Sequence, residues 1–299
     1  MIFNKIIVIG AGVIGSCYGA MLSQKNTVTM VDNKEVVDRI NTIGMTIKTK
    51  SEKNFTLTAT TKLEEIKPKT LILLTTKAHQ SEQAIKQIKN LEVENSVILI
   101  LQNGLGNEDI VKKIVKDRAE VIRGIVNSGA WQVEPGKFNL ILNETILKPT
   151  DTGKRVAKIF NESGLPTRIS KDFISELWQK LILNCVVNPL TAILRVRNNK
   201  IAVPVLKSLR HQIVKECLTV SEAEGIFLAA NLSNKLDQMI PSYNNFSSMY
   251  QDVVNGKETE IDFINGKIIE LGIKHNIPTP ANEALYAIIK FMETKNDIG

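Results

Sequence analysis

The sequence predicts an α/β protein. A doubly wound parallel sheet occupies residues 1–170, and an all-helical domain follows over residues 171–299. Three observations carry this reading. Short apolar runs alternate with amphipathic stretches through the first half of the chain. A glycine-rich turn closes the first of those runs. From about Asp172 onward, long helical periodicity replaces the alternation.

Lys5–Ile9 is an apolar run of the kind that forms a strand buried on both faces of a parallel sheet. Val13–Gln24 then reads as a helix, Thr27–Val31 as a second strand and Glu35–Thr42 as a second helix. A short β section is expected over Met45–Lys48 and Phe55–Ala59. Thr70–Leu74 and Ser96–Leu101 are two further buried strands, with a helix over about Ser81–Asn90 between them. More β structure is expected at Val121–Ile125 and across the turn at Gly136. In the second half, helical periodicity covers Ser175–Leu194, Ala202–Glu224, Glu258–His275 and Asn282–Thr294. Pro189 is expected to kink or end the first of these.

Composition narrows the function. At 43% hydrophobic and 23% charged residues it is that of a soluble globular protein. The net charge of +7 is spread along the chain without a polybasic block, which argues against nucleic acid and suits attraction of small anions. Cys17, Cys185 and Cys217 are far apart and make no metal-ligand spacing, so no metal is expected. All three fall in helical segments, as small core residues, and a reducing cytoplasmic setting fits. The glycines at 10, 12 and 15 argue against reading Ile6–Ile14 as a signal-peptide core. No segment reads as the run of ~20 apolar residues that crosses a bilayer, so no membrane partner is expected.

Gly10-Ala11-Gly12-Val13-Ile14-Gly15 follows the first strand and opens the first helix. In that context the glycine pattern is a Rossmann dinucleotide-binding fingerprint. Gly10 permits the tight turn, Gly12 lets backbone approach a pyrophosphate, and Gly15 allows helix and strand to pack closely. The helix N-terminus offers N–H groups and partial positive charge to phosphate. Asp32, at the end of the second strand, suits the ribose hydroxyls of NAD and repels a 2′-phosphate. Lys34, after Asn33, can pair with a 2′-phosphate instead. Lys77 and Asn103 follow later strands at the carboxyl edge of the sheet, where ligands bind in this architecture. Lys77 reads as a ligand contact or a surface lysine. Asn103 reads as a contact to nicotinamide or substrate, or as an Asn-Gly turn.

Lys180, Asn184 and Asn188 stand four residues apart in the apolar stretch Leu177–Leu194. A step of four advances a helix by about 400°, so the three side chains share one stripe. That stripe is either a polar seam between packed helices or one wall of a site for a polar anion.

With these residues in place, the chain resembles the ketopantoate reductase (2-dehydropantoate 2-reductase) family over nearly its whole length. The landmarks are Gly10–Gly15, Thr76-Lys-Ala-His-Gln80, Gln102-Asn-Gly104, Glu176–Ala192, Ser247-Ser-Met-Tyr-Gln-Asp252 and Thr259-Glu-Ile-Asp-Phe-Ile-Asn-Gly266. The resemblance implies a Rossmann domain followed by a helical domain, with the active site in the cleft between them. It also implies NADPH-dependent reduction of 2-dehydropantoate to (R)-pantoate in pantothenate and coenzyme A biosynthesis. It makes Lys180 the catalytic lysine and Glu260 its partner carboxylate. Asn103, Asn184, Asn188, Asn245 and Ser248 become substrate contacts. Gly10–Gly15, Asp32, Asn33, Lys34, Lys77, Gln80 and Asn103 become cofactor contacts. Many NADPH-using members carry an arginine just after the second strand. Here Asn33 stands there, preceded by Asp32, so NAD(H) is expected beside NADP(H).

The chemistry of the residues agrees with this. Hydride delivery to a ketone builds negative charge on its oxygen, and a positioned ammonium stabilises and protonates it. Lys180 is the one cation on the Asn stripe. Glu260 and Asp262 flank Ile261 in a segment read as helical, so one of the two is expected to face the core. Ser247 and Ser248 stand at a helix start, where N–H groups and hydroxyls can hold a carboxylate.

Two other readings stand beside this one. One is an NAD-dependent D-2-hydroxyacid dehydrogenase acting on branched or aromatic 2-keto acids. The other is a non-catalytic dinucleotide-sensing protein. A lactate-dehydrogenase-like mechanism would use a histidine as acid and base, but none of His79, His211 and His275 stands in a His-Asp or His-Glu setting that marks one, so each reads as structural or exposed; neither a G-x-S-x-G motif nor a zinc signature is present. A homodimer and a monomer are equally compatible with the long C-terminal helices.

Overall fold

In a computed structural model, residues 3–88 and 90–294 are described. The chain divides into two compact units. One is Met1–Gln102 with Asn107–Phe173, and the other is Asn103–Gly106 with Ile174–Gly299.

The first unit holds strands β1 (Lys5–Ile9), β2 (Val28–Val31), β3 (Met45–Lys48), β4 (Glu52–Phe55), β5 (Thr58–Thr60), β6 (Thr70–Leu74), β7 (Val97–Ile100), β8 (Glu120–Val126), β9 (Gly129–Glu134), β10 (Lys137–Ile141), β11 (Thr145–Leu147) and β12 (Thr167–Ile169). Its helices are α1 (Val13–Ser23), α2 (Lys34–Ile43), α3 (Ser81–Lys86), α4 (Asn107–Val115) and α5 (Asp151–Glu162). The main sheet has eight strands in the order β12-β11-β8-β7-β6-β1-β2-β5. Pairing is parallel from β5 through β8. β11 then runs antiparallel to β8, so the sheet is mixed at one edge and not wholly parallel.

Apolar runs without alternation make sense in such a sheet, because successive side chains enter two different cores. Ile6, Val8, Leu71, Leu73 and Leu99 pack on one face with Tyr18, Leu22 and Phe160. Ile7, Ile9, Ile72, Leu74, Ile98 and Ile100 pack on the other with Ile85, Ile88 and Val111. β1 is flanked by β2 on one side and β6 on the other, so the winding direction reverses there and the glycine turn lies at the switch point.

Several expectations need correction. The β section over Phe55–Ala59 is two strands in different sheets, because β4 joins β3, β10 and β9 while β5 edges the main sheet. Helices α4 and α5 and strands β11 and β12 were not foreseen. α5 starts behind a Thr150 side-chain cap on the Gly153 N–H, a signal the sequence does carry. The helix expected over Ser81–Asn90 ends at Lys86, and Lys89 lies outside the described residues.

The second unit is helical: α6 (Phe173–Leu194), α7 (Lys207–Ala223), α8 (Leu232–Met239), α9 (Ser248–Val254), α10 (Asn265–Lys274) and α11 (Pro280–Thr294). Trp178, Leu181, Ile182, Cys185 and Val186 of α6 form its core with Ile213, Val214 and Cys217 of α7 and Ile268 and Leu271 of α10. Pro189 does not end α6, which continues to Leu194. By length and composition α6 is apolar enough to cross a membrane, contrary to the sequence expectation, with a mean hydropathy of 1.3. However, 72% of that window is buried inside the protein, as in a core helix. Cys17, Cys185 and Cys217 are all buried and free, and burial pushes the Cys17 thiol up to about 12.

Candidate active site

The glycine turn is built for close approach of backbone. Gly10 has φ +98°, and a Cβ there would strike the Thr76 backbone; Gly15 is pressed against the Gly10 carbonyl. At Gly12, by contrast, a Cβ would meet nothing within 4 Å. α1 begins with no side-chain cap and no acidic residue in its first turn, so its N-terminal N–H groups and dipole remain available to an anion. These features fit a dinucleotide pyrophosphate.

Asp32 is part of the same construction. Its Oδ2 accepts from the Ala11 N–H at 2.5 Å and its Oδ1 from the Asn33 N–H at 2.7 Å. The carboxylate therefore splints the glycine turn to the end of β2, and the Ala11 N–H is spent on it. Asn33 caps α2 by accepting from the Val36 N–H at 3.1 Å. Lys34 is exposed and pairs with Asp38 at 2.7 Å. Lys77 and Gln80 lie in the turn after β6, with Gln80 donating its N–H to the Lys77 carbonyl.

Sequence reading missed the residue that pins this turn. Gln102 is buried. Its Nε2 donates to the Thr76 carbonyl at 2.8 Å and lies 3.2 Å from that of Lys77, while Arg123 donates to the Gln102 carbonyl. A polar side chain at the end of an apolar strand is the signal that could have marked it.

The Lys-Asn stripe lies in the second unit. Asn184 and Asn188 are buried at 7% and 6% exposure, and Lys180 is partly buried. Among the described residues none of the three side chains has a hydrogen-bond or ion-pair partner in the protein, yet none is sealed from solvent. Two amides sealed in a seam between helices would be bonded to protein. Their donors and acceptors instead remain available to a ligand. Burial lowers the Lys180 pKa from 10.5 to about 8, because the charged form is the one that loses hydration.

Glu260 is not in a helix. It precedes a single 3₁₀ turn, Ile261–Phe263, and α10 starts only at Asn265, because Ile264 adopts φ −107° and ψ −95°. Of the two acids flanking Ile261, Glu260 is the buried one; Asp262 is partly exposed and bonds Tyr286 and Lys290. Glu260 Oε2 accepts from Asn103 Nδ2 at 3.1 Å. Gly104 takes φ +79° against Phe263, and the Leu105 N–H donates to the Phe263 carbonyl. Asn103 and Glu260 are thus brought together, whereas Lys180 and Glu260 form no ion pair.

Ser247 caps α9, accepting from the Tyr250 N–H at 3.0 Å. It also meets Thr191 Oγ1 at 2.7 Å, and Thr191 donates to the Val187 carbonyl of its own helix. One proton order satisfies all of these: Tyr250 N–H to Ser247, Ser247 O–H to Thr191, Thr191 O–H to Val187. This relay ties the segment bearing Asn245 and Ser248 to α6. Asn245 is held by the Asn198 backbone N–H at 2.9 Å. Ser248 opens α9 and is partly buried.

Two histidines pair with carboxylates. His211 meets Asp237 at 2.7 Å and His275 meets Glu224 at 2.5 Å. Asp237 is shared with buried Arg210, and Glu224 with Lys274, so each pair clasps α7 to a neighbouring element. Among the described residues no cluster of His, Cys, Asp or Glu could hold a metal ion.

Comparison with known proteins decides the family. Residues 6–147 match the model described as "Ketopantoate reductase PanE/ApbA", and residues 172–293 match "Ketopantoate reductase PanE/ApbA C terminal". A 2-dehydropantoate 2-reductase of Pyrococcus abyssi is 35% identical, over 97% of this chain and 98% of its own. The chain belongs to the ketopantoate reductase family. That family consists of oxidoreductases with a Rossmann-type first domain and a helical second domain, as found here. Among solved structures, a PanE/ApbA family ketopantoate reductase from Ralstonia eutropha JMP134 superposes with a TM-score of 0.89 at 27% identity, covering 98% of this chain and 99% of that one. D-mandelate dehydrogenase, solved with NADH and anilino(oxo)acetate, gives a TM-score of 0.88 at 28% identity with the same coverage. Family members therefore bind nicotinamide dinucleotides.

Proposed function

We propose that this ketopantoate reductase family member reduces 2-dehydropantoate to (R)-pantoate, with Lys180 as proton donor. The observation that carries the reading is the stripe of Lys180, Asn184 and Asn188, buried or partly buried polar groups without a protein partner. A 2-keto acid that also bears a hydroxyl needs such additional polar partners. Relatives named 2-dehydropantoate 2-reductase, from Pyrococcus abyssi and Aquifex aeolicus among others, support the same substrate.

The turn of Gly10, Ala11, Gly12, Val13, Ile14 and Gly15 holds the cofactor's pyrophosphate through N–H groups other than that of Ala11, with Asp32, Asn33, Lys34, Lys77, Gln80 and Asn103 as further cofactor contacts. When bound, the reduced nicotinamide supplies the hydride. The Lys180 ammonium stabilises the negative charge that develops on the carbonyl oxygen and gives it a proton; the resulting neutral amine is reprotonated from water. A lysine with a pKa of about 8 is still charged at neutral pH, yet is a stronger acid than an exposed lysine. Asn184 and Asn188 orient the substrate's hydroxyl and carboxylate. Glu260, held by Asn103, accepts the substrate hydroxyl, and Asn245 and Ser248 complete the polar contacts.

Asp32 supports NADH as a competent donor, because a carboxylate at the end of β2 repels a 2′-phosphate. Lys34, held only by an exposed pair, is the residue that would meet NADPH. The protein acts as a cytoplasmic biosynthetic enzyme on a small-molecule acid, and a homodimer is compatible with it. The likeness to D-mandelate dehydrogenase favours one second reading, a D-2-hydroxyacid dehydrogenase for branched or aromatic 2-keto acids.

The test follows the near-ultraviolet absorbance of NADPH and of NADH with 2-dehydropantoate and with phenylglyoxylate, beside Lys180→Ala. Fast oxidation with 2-dehydropantoate that collapses in the variant supports the proposal. Turnover of phenylglyoxylate alone moves the assignment to the second reading, and binding of cofactor without turnover of either acid points to a dinucleotide sensor.

A further inference from the structure

Pro189 lies inside α6, one residue after Asn188. A proline has no N–H, so the carbonyl four residues earlier, that of Cys185, loses its helical hydrogen bond. Cys185 is fully buried, so no bulk water makes good the loss. The missing donor comes from another part of the unit. Asn265 Nδ2, on the first residue of α10, donates to the Cys185 carbonyl at 3.1 Å and to Asn282 Oδ1 at 2.9 Å. Both amide protons are spent on oxygen acceptors, which fixes the amide's orientation.

Asn282 is itself anchored. Its Nδ2 donates to Glu216 Oε2 at 2.8 Å, and Glu216 also accepts the N–H groups of Ala281 and Asn282 at the start of α11. Asn265, Asn282 and Glu216 are all buried. A buried carboxylate on α7 thus orients one amide, which orients a second, which ends on the α6 carbonyl lying between Asn184 and Asn188. Asn265 is five residues from Glu260 along a segment with no α-helical turn of its own.

We propose that Asn265 is a positioning residue of the reduction: its amide replaces the N–H that Pro189 lacks, and so sets the Glu260 segment in register with the Asn184 and Asn188 turn of α6. This rests on the reading of Lys180, Asn184, Asn188 and Glu260 given above. An alanine at 189 and a leucine at 265 would leave the Cys185 carbonyl satisfied within its own helix, and Asn282 Oδ1 would keep the Cys217 thiol as a donor at 3.9 Å. The Pro-Asn pair instead routes that hydrogen bond between the two elements that carry the polar groups.

The experiment compares wild type, Asn265→Leu, Pro189→Ala and the Pro189→Ala/Asn265→Leu double variant. It measures Tm, cofactor Kd by nicotinamide fluorescence, and kcat and KM on whichever 2-keto acid the wild type reduces. Asn265→Leu strands the Cys185 carbonyl and is expected to melt earlier. The double variant regains a helical N–H and is expected to recover Tm relative to Asn265→Leu. Its kcat stays below that of Pro189→Ala by about tenfold or more, the penalty of misplacing reacting groups, while its cofactor Kd is unchanged. A double variant whose kcat lies within about tenfold of Pro189→Ala overturns the proposal and leaves Asn265 a purely structural residue. Should Asn265→Leu fail to fold, the double variant alone decides. A wild type that reduces no 2-keto acid would overturn the underlying reading instead, and that is seen before any variant is made.

Discussion

Replacing Lys180 by methionine should yield an enzyme that is more stable and nearly inactive. Burial lowers the Lys180 pKa from 10.5 to about 8, with no carboxylate to offset it. At neutral pH the folded protein therefore holds a charge that the unfolded chain solvates better. At about 1.4 kcal/mol per tenfold change in proton affinity, the cost is about 3.5 kcal/mol; partial exposure screens it to about 1–3 kcal/mol. Methionine matches the stem of the lysine and removes the charge, so Tm at pH 7 should rise by several degrees. The sign with pH follows. Between about 8 and 10.5 the unfolded chain binds the proton and the folded one does not, so wild-type stability climbs with pH over that window. The advantage of Lys180→Met fades as it climbs and is gone above the unfolded pKa. Turnover should fall by about 10²–10⁴, the range for loss of a general acid. In the wild type, kcat/KM for reduction should drop as pH rises through about 8. Melting curves from pH 6 to 10 beside steady-state rates are the assay. A variant that is less stable than wild type at pH 7, or that keeps more than a tenth of its rate, refutes the argument.

Asn184→Ala and Asn188→Ala should each raise the KM for the keto acid, with little change in Tm, because neither amide bonds to protein; thermal melts beside kinetics separate the two effects. Asp32→Asn should shift the kcat/KM ratio toward NADPH and weaken binding of both cofactors, since the neutral amide braces the Ala11 and Asn33 N–H groups less well. Glu216→Leu should cost about 3 kcal/mol or more, stranding two backbone N–H groups and the Asn282 amide; denaturant titration reads that loss, and a fall under about 1 kcal/mol would contradict the network.

Local patterns in the sequence carried much of the architecture. The strands β1, β6 and β7 were legible because residues that feed two cores make unbroken apolar runs. The stripe on α6 was legible because a helix repeats nearly every four residues. Long-range partners left no such mark. Gln102 acts across a turn, Asn265 on a carbonyl eighty positions away, and Thr191 on a serine fifty-six positions away. A side chain's hydrogen-bond partner depends on packing that no window of sequence contains. The assignment of Glu260 to a helix failed for a local reason: periodicity in Glu258–His275 continues through Ile264, but its backbone angles break the helix there.

The short segment Asn103–Gly106 has a practical consequence for protein engineering. It lies in sequence inside the nucleotide-binding unit, yet its contacts are with Glu260 and Phe263 of the helical one. A gene cut once near Phe173 would strip the helical fragment of Asn103 and leave Glu260 without that donor. Chimeras that borrow a relative's first unit to change cofactor preference would import a foreign loop beside Glu260. Grafts that respect the folding units must splice at three peptide bonds, keeping residues 103–106 with the helices they serve.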